Sequence, residues 1–319
     1  MDKVRVGFVG AGGLAMGNHY PSLAEFPDAE IAAISELNEQ RMRTAAEKYR
    51  VSATFSDYRK MIEQAPLDAV YVIMPPHHLF DIVAFCLEQK KHVFIEKPPG
   101  VYAYQTRELA NLAEKKGCKT MVAFNRRFIP LMRQCRKLVE ERGPIIQCMA
   151  TFVKNHLNGG PYYKGAVDIL TCDAIHAVDA MRWMGGEPKA VASDVNSFCM
   201  DLPNSFNALI KFQGGASGFL VTNWAVGARR HTFEMHAKGI SAYIDPDDKA
   251  LIFKDNKAEP QVLTATDAAG ATQKFKSYGF FGENRHFIDC LKEGRMPETN
   301  FADATRTMEL VNRIYGSQI

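Results

Sequence analysis

Short apolar runs alternate with amphipathic stretches over the first 125 residues of the chain. The runs are rich in Val, Ile and Phe and show no polar alternation, which is typical of parallel strands buried on both faces. We predict strands at 4–9, 30–35, 69–74, 92–95 and 120–124, with helices at 39–49, 79–90 and 102–116 between them. Strands and helices in alternation indicate a doubly wound parallel sheet with helices on both sides.

The pattern changes near residue 125. Strand-like runs at 145–154, 190–195, 208–212, 218–225, 232–237 and 250–253 are accompanied by helical patterns at 131–142, 169–184, 281–293 and 302–315. Strands segregated from helices favour an α+β arrangement with a large, mostly antiparallel open sheet. We therefore predict an α/β protein with two domains, 1–125 and 126–319.

Composition excludes several classes of protein. A net charge of +3 over 319 residues gives no reason to expect nucleic acid or a membrane surface as partner. The seven cysteines are scattered without a CxxC pair, which favours reduced thiols over disulfides or a zinc site. No apolar segment has the length of a signal peptide or a transmembrane helix, so we expect a cytoplasmic protein.

A glycine-rich turn follows the first predicted strand and opens a predicted helix. Gly10 permits the tight turn, and Gly12 lets the backbone approach a pyrophosphate. Gly13 and Leu14 complete the turn, and Ala15 takes the place of a third small residue where helix and strand pack closely. A free helix N-terminus then favours phosphate groups. The turn in this context predicts a dinucleotide site on 1–125.

Glu36 ends the second predicted strand, 21 positions after Ala15. A carboxylate at this position accepts hydrogen bonds from the ribose hydroxyls and repels a 2′-phosphate. It favours NAD, with NADP as the alternative because Arg41 lies close in sequence.

Four further segments resemble a known family. They are Glu96-Lys97-Pro98, Phe124-Asn125-Arg126-Arg127-Phe128, the stretch from Asp173 to Asp179 with Arg182-Trp183, and Gly279-Phe280-Phe281 with the following Arg285-His286-Phe287-Ile288. In this order they resemble the glucose–fructose oxidoreductase / inositol dehydrogenase / MocA (Gfo/Idh/MocA) family, and most closely its MviM-like branch. The resemblance covers nearly the whole chain.

The resemblance implies a Rossmann domain followed by an α+β domain that binds substrate and forms a homo-oligomer, a dimer or a tetramer. It implies transfer of a hydride between nicotinamide and a hydroxyl carbon of a small sugar, polyol or related molecule. Two alternatives stay open: an NAD-assisted lyase, glycosidase or epimerase that recycles its cofactor, and a non-catalytic dinucleotide sensor.

Three residues are candidates for catalysis. Lys97 follows a central strand at its carboxyl end, where open α/β sheets bind ligands. His176 is the candidate general base, because imidazole titrates near neutral pH. Asp173 lies three residues before it and is expected to orient the ring. Relatives commonly place this aspartate four residues before the histidine, which is Cys172 here.

The remaining candidates surround these groups. The strand-four turn of the family predicts Met74, Pro75 and His77 at the cofactor, together with Glu96, Lys97 and Asn125. Polar residues at strand ends and in loops line such clefts. We therefore expect substrate contacts from Lys97, Asn125, Arg126, Lys154, His156, Tyr163 (beside Tyr162), Asp173 and His176. No HExxH motif is present, and no metal is expected.

Overall fold

In the computed structural model, which describes residues 3–319, the chain divides into two units. Unit 1 contains the chain up to Phe124 together with Phe280–Arg306, and unit 2 contains Asn125–Gly279 and Thr307–Ile319. The division differs from the predicted second domain of 126–319, because the segment Phe280–Arg306 returns to unit 1.

Unit 1 is built on a parallel sheet of six strands in the order β3-β2-β1-β4-β5-β6. The strands are β1 (Val4–Val9), β2 (Ala29–Ser35), β3 (Ala53–Phe55), β4 (Ala69–Val72), β5 (His92–Glu96) and β6 (Thr120–Ala123). The helices are α1 (Tyr20–Ala24), preceded by a π-helical segment (Ala15–His19), α2 (Glu39–Tyr49), α3 (Tyr58–Gln64), α4 (Leu79–Glu88) and α5 (Ala103–Lys116). The predicted doubly wound sheet is confirmed.

Aromatic packing explains why a late segment belongs to unit 1. The side chain of Phe287, in a helix that spans Phe280–Glu293, is fully buried. Its ring lies 5.7 Å from the ring of Tyr71 and 5.5 Å from that of Phe94, which themselves stack at 4.4 Å. Tyr71 and Phe94 belong to β4 and β5, so this helix covers the middle of the parallel sheet.

Unit 2 is built on an eight-stranded sheet in the order β14-β13-β12-β11-β7-β10-β9-β8. Its strands are β7 (Gln147–Asn155), β8 (Pro188–Asn196), β9 (Ser205–Phe212), β10 (Ser217–Asn223), β11 (Ala225–Ala237), β12 (Ile240–Ile244), β13 (Lys249–Lys254) and β14 (Gln261–Thr264). Only the β7–β10 pair is parallel, which confirms the predicted mostly antiparallel sheet.

Helices cover one face of this sheet. In chain order the later helices are α6 (Pro130–Glu140), α7 (Ile175–Gly185), α8 (Ala265–Ala269), α9 (Lys274–Ser277), α10 (Phe280–Glu293) and α11 (Phe301–Gly316). Of these, α10 is the helix that covers the sheet of unit 1. α7 packs on β7 and β10, and α6 packs on β11, β12 and β13. The cross-strand row Ala208, Leu220, Ala150, Phe233 and Ile244 is buried on this side. None of the helices within 3–319 is long and apolar enough to cross a membrane.

A buried ion pair joins the start of unit 2 to α7. Arg127 donates from Nε and Nη2 to the two carboxylate oxygens of Asp179, at 2.8 and 2.5 Å. Thr307 also donates to Asp179 at 2.9 Å, and Thr307 accepts from Arg182 at 2.7 Å. A carboxylate with no solvent exposure needs these donors to balance the cost of leaving water.

We expect Asp179→Ala to reduce the free energy of unfolding by about 3–5 kcal/mol, since it leaves the buried Arg127 guanidinium without its carboxylate. Both tryptophans, Trp183 and Trp224, lie in unit 2, so urea unfolding followed by tryptophan fluorescence reports on this unit. Asp248→Ala removes a carboxylate exposed on the surface and is the matched control, expected within about 0.5 kcal/mol of the wild type. Equal midpoints for the two variants would contradict the assigned role of the pair.

Candidate functional site

The glycine turn is built as a binding loop. Gly10 has a φ of +104°, and a Cβ atom there would lie 2.5 Å from the carbonyl oxygen of Ile73. Both the conformation and the close approach to the end of β4 therefore require glycine. At Gly12 and Gly13 a Cβ atom would meet nothing within 4 Å, so the backbone faces open space. Helical residues begin at Gly13 and continue to Ala24, and their first N–H groups suit a pyrophosphate.

Glu36 lies directly after β2 and contacts the same turn. Its Oε2 accepts a hydrogen bond from the backbone N–H of Ala11 at 2.8 Å, and its Oε1 accepts one from Asn38 at 3.0 Å. The carboxylate is therefore fixed beside the backbone of the glycine turn. A fixed negative charge there suits the ribose diol of NAD and disfavours a 2′-phosphate.

A cavity of about 610 Å³ opens beside Gly10 and Glu36. Its other walls include Met74 and His77, and Pro75 precedes a short 3₁₀ segment, Pro76–His78; the predicted contacts of these residues with the cofactor stay predictions. Burial and the neighbouring His78 lower the pKa of His77. Tyr58 and Arg59, which were not among the predicted residues, also line the cavity. These residues fit a dinucleotide, because the cavity joins a glycine turn to a carboxylate at the end of β2.

Arg59 forms a flat wall of that cavity. Its guanidinium lies 4.7 Å from the ring of Tyr58 and 5.3 Å from that of Phe85. A stacked guanidinium presents a planar face of the kind that aromatic groups pack against. The sequence signal for this wall is Asp57-Tyr58-Arg59, in which a helix N-cap is followed by an aromatic residue and a cation. The signal was overlooked because α3 was not predicted.

Glu96 is the last residue of β5 and Lys97 follows it, and the two side chains lie in different environments. Glu96 is buried, and its Oε1 lies 2.9 Å from Nε2 of His19, whose other nitrogen contacts Asn284. Its Oε2 accepts a hydrogen bond from the backbone N–H of Lys97 at 3.1 Å. The carboxylate of Glu96 thus fixes the backbone that carries Lys97, and its predicted contact with the cofactor stays a prediction.

Glu96 also belongs to a group of buried side chains that could hold a metal ion. Within residues 3–319, His19, Glu96 and Glu283 form the one group of side chains with suitable spacing, their ligand atoms lying within 4.8 Å of one another. A nitrogen and carboxylate oxygens are common metal ligands. The absence of a metal therefore stays a prediction.

In unit 2, Asp173 is the centre of a polar network. It accepts hydrogen bonds on Oδ2 from Lys154 Nζ at 2.5 Å and from the hydroxyl of Tyr162 at 2.7 Å. Tyr162 in turn accepts one from the indole N–H of Trp224 at 3.4 Å. Burial, and then the charge of Asp173, raise the pKa of Tyr162, so this hydroxyl stays protonated and donates.

The helix that carries these groups is irregular. Leu170–Ala174 is π-helical and runs directly into α7, so Asp173 and His176 lie on either side of a change in helical pitch. Both side chains are buried. π-helical segments are frequent at functional sites, because the wider turn redirects side chains. The predicted orienting of His176 by Asp173 stays a prediction.

The loop before this helix differs from what the sequence suggested. His156 stacks on Tyr162 with ring centroids 5.1 Å apart, and its Nε2 lies 3.1 Å from the carbonyl oxygen of Gly160. Tyr162 reaches Asp173, whereas Tyr163 is exposed and has a φ of +50°. The two tyrosines are adjacent, and only the loop conformation decides which one faces the network.

Asn125 and Arg126 form a second group of contacts in unit 2. Asn125 donates to the carbonyl oxygen of Tyr278 at 2.8 Å and accepts from Arg126 Nη1 at 2.7 Å. The hydroxyl of Tyr278 accepts from Arg126 Nη2 at 3.5 Å and from Arg229 Nη2 at 2.7 Å. Arg229 also contacts His231 Nδ1 at 3.0 Å. Tyr278, Arg229 and His231 were not among the predicted residues, although Tyr278 directly precedes the Gly279-Phe280-Phe281 motif.

Unit 1 is thus a dinucleotide-binding domain with a lysine at the carboxyl end of a central strand, which is the arrangement of an oxidoreductase. Two family models match the chain: the oxidoreductase family with an NAD-binding Rossmann fold over residues 4–124, and the GFO/IDH/MocA C-terminal domain over 132–241. The chain belongs to the Gfo/Idh/MocA oxidoreductase family. The predicted family, fold class and NAD cofactor are confirmed.

Individual relatives are similar along nearly the whole chain. Myo-inositol 2-dehydrogenase of Thermotoga maritima is 24% identical, covering 96% of this chain and 94% of its own. The structure of the dehydrogenase MviM from Clostridium difficile has a TM-score of 0.86 at 20% identity, covering 98% of this chain and 99% of that one. Levoglucosan dehydrogenase in complex with NADH and levoglucosan has a TM-score of 0.88 at 21% identity, covering 99% and 96%.

We expect Gly12→Ala to weaken NAD binding by tenfold or more, about 1.4 kcal/mol, without loss of thermal stability. The structure has room for the added methyl group, but the methyl group would occupy space that a pyrophosphate needs. Titration calorimetry and a melting curve measure the two quantities. Gly17→Ala, a glycine in the following helical turn with equally open space, is the matched control and is expected to bind NAD normally. Unchanged affinity in the Gly12 variant would show that the pyrophosphate does not approach this backbone.

Proposed function

We propose that this protein oxidises a hydroxyl carbon of a small sugar or polyol derivative, with NAD as the hydride acceptor. Lys97 and His176 act on the reacting hydroxyl group. The proposal rests on the order of functional groups along one edge of the unit 1 sheet.

All six strands of that sheet are parallel, so their carboxyl ends lie at the same edge. The spatial order of the relevant strands is β2, β1, β4, β5, and they end respectively near Glu36, Gly10, Met74 and Lys97. A ribose held at Glu36 and a pyrophosphate held at Gly10 direct the other half of a dinucleotide toward β4 and β5. With strands about 4.8 Å apart, the end of β5 lies roughly 10 Å from the glycine turn.

Lys97 is suited to hold the substrate oxygen. An ammonium group at the nicotinamide end of the cofactor stabilises negative charge that develops on the hydroxyl oxygen. Its backbone is fixed by the hydrogen bond to Glu96, which is itself held by His19. Bound NAD supplies the hydride acceptor in this scheme.

His176 removes the hydroxyl proton in the proposed reaction. A neutral imidazole is the side chain best suited to accept a proton near neutral pH. The neighbouring carboxylate of Asp173 holds Lys154 and Tyr162 in place, and these two groups supply donors for further hydroxyls of a polyol. Names of relatives support this class of substrate, since they include dehydrogenases for myo-inositol, D-glucosides and levoglucosan.

We expect Lys97→Ala to lower turnover by at least about 100-fold and to leave NAD affinity within about threefold of the wild type. A thermal-shift panel of sugars, polyols and sugar acids identifies a substrate, NADH absorbance then measures turnover, and calorimetry measures NAD binding. Lys60→Ala removes an exposed lysine of α3 and serves as the control. Wild-type turnover in the Lys97 variant would remove that residue from the mechanism, and product without net NADH would favour internal recycling of the cofactor.

We also propose that the protein is a homo-oligomer in the cytoplasm. The seven free thiols fit a reducing compartment. The sheet face opposite α6 and α7 carries exposed apolar side chains, among them Leu209, Phe219 and Tyr243, which share one cross-strand row. Exposed apolar side chains aligned across one face of a sheet are consistent with an association surface.

We expect sedimentation to give a mass that is a multiple of 35.7 kDa, and Phe219→Glu to shift it toward the single chain because a charge is placed on the apolar face. Lys60→Glu, on α3 of unit 1, is the control. A wild-type mass of one chain would contradict the proposed oligomer.

A further inference from the structure

Arg126 and Arg127, which are adjacent in unit 2, are both buried, but their hydrogen-bond partners differ in charge. Arg127 has the two carboxylate oxygens of Asp179 as partners. Arg126, with 7% of its surface exposed, has only neutral hydrogen-bond partners within residues 3–319, the side-chain oxygen of Asn125 and the hydroxyl of Tyr278. Its Nε is buried and has no hydrogen-bond partner among these residues. A buried guanidinium normally has an anion beside it, so this arrangement is incomplete as it stands.

A second buried donor in the same cluster also lacks an acceptor. The guanidinium of Arg229 only donates, so the Nδ1 of His231 that it contacts must accept. The neutral ring of His231 therefore carries its proton on Nε2, and this atom is buried without a partner. Buried polar groups are nearly always satisfied, so two orphaned N–H donors together indicate a missing acceptor.

The ring of Phe152 lies close to several of the positively charged side chains. The ring of Phe152 stacks on His231 at 3.4 Å, and it lies 5.9 Å from the guanidinium of Arg126 and 5.3 Å from Lys154 Nζ. Burial, and then the charges of Arg229, Arg126 and Lys154, lower the pKa of His231 to about 2. Burial also lowers the pKa of Arg126 itself. The positive charges of Arg229, Arg126 and Lys154 thus all act on His231, opposed by the carboxylate of Asp173.

The carboxylates nearby do not balance this charge. Asp173 is engaged by Lys154 and Tyr162, and Asp247 is shared between Arg229, at 2.8 Å, and Lys274. The cluster therefore has four cationic side chains against two carboxylates, and the cation without a carboxylate is the most buried one. The side chain of Arg229 is 45% exposed, so positive charge extends from the surface of unit 2 to Arg126.

We propose that the substrate is anionic: a polyhydroxylated compound whose carboxylate or phosphate group binds Arg126, with His231 Nε2 and Arg229 as further donors. This inference rests on the proposed function, since it names the substrate class for the same site. Neutral sugars and polyols offer hydroxyl oxygens as acceptors, but they carry no negative charge to balance the buried guanidinium of Arg126. A guanidinium is the side chain best matched to a carboxylate or phosphate, because its planar fork donates two parallel hydrogen bonds.

The test compares pairs of compounds that differ in the anionic group alone. D-gluconate is compared with D-glucitol, D-glucuronate with D-glucose, and D-glucose 6-phosphate supplies the phosphate form. Each is titrated calorimetrically into the NAD-bound protein. We expect at least one anionic member to bind ten or more times tighter than its neutral counterpart, and to lose that advantage as salt concentration rises. The gluconate and phosphate arms decide between the two anions.

Variants then locate the anion. Arg126→Gln is expected to abolish the difference between the charged and neutral members of a pair while affinity for the neutral member and for NAD is retained. Arg229→Gln, at a half-exposed position where folding is less at risk, is expected to reduce the difference by about threefold to tenfold. Lys211→Gln, an exposed lysine on β9, is the control and is expected to leave every affinity unchanged.

The outcomes separate this inference from the proposed function. An anionic compound that binds through Arg126 but yields no NADH supports the anion site and contradicts the dehydrogenase. Neutral polyols oxidised as well as their acids, in wild type and Arg126→Gln alike, support the dehydrogenase and overturn the anion site. Equal binding of charged and neutral members throughout the panel also overturns it.

Discussion

Parallel strands joined by helices must all end at one edge of their sheet, and the chemistry of unit 1 depends on this constraint. Residues far apart in sequence, such as Glu36 and Lys97, come to lie in a row because each follows a strand of the same sheet. The row has a direction, since the strand order β2-β1-β4-β5 places the carboxylate, the glycine turn and the lysine in sequence. The extended shape of a dinucleotide matches that order.

Burial stabilises these strands in addition to the backbone hydrogen bonds that join them. β4 and β6 have every residue buried, and the aromatic stack of Tyr71 and Phe94 fills the space beneath α10. This rigid base allows the strand ends to carry polar groups that would otherwise be costly. Glu96 illustrates the transition: its carboxylate is buried and satisfied by His19, while the next residue, Lys97, lies at the sheet edge.

Much of this architecture is predictable from the sequence, because continuous apolar runs specify buried parallel strands with little ambiguity. The elements that were missed lack such runs: β3 has three residues, β14 has four, α3 has only Met61 and Ile62 buried, and β12 alternates buried residues with more exposed ones. The return of Phe280–Arg306 to unit 1 was also missed, because a helical pattern shows which face is apolar but not which sheet it covers.

The site was predictable where its residues follow strands and unpredictable where they meet through tertiary contacts. Lys97 and Glu36 belong to the first kind. Tyr162, Tyr278, Arg229 and His231 belong to the second, since they come from a loop, a helix end and an irregular strand with a register shift between Ala225 and Arg230. Alternation along β11 cannot be followed through that shift, so the burial of His231 was not visible in the sequence.

The contacts of Asp173 bear on why the acidic residue of the irregular helix lies where it does. The family resemblance leads to the expectation of an aspartate at the position of Cys172, and in this chain the carboxylate is carried by Asp173 within a π-helical segment. Asp173 contacts Lys154 and Tyr162 and thereby neutralises one of the cations near Phe152. Arg126 is left as the uncompensated charge, although its neighbour Arg127 has a carboxylate of its own. Within residues 3–319 Arg127 is hydrogen-bonded to a carboxylate, Asp179, whereas Arg126 is hydrogen-bonded to neutral groups alone, which is the charge distribution expected of a site whose anion is part of the ligand.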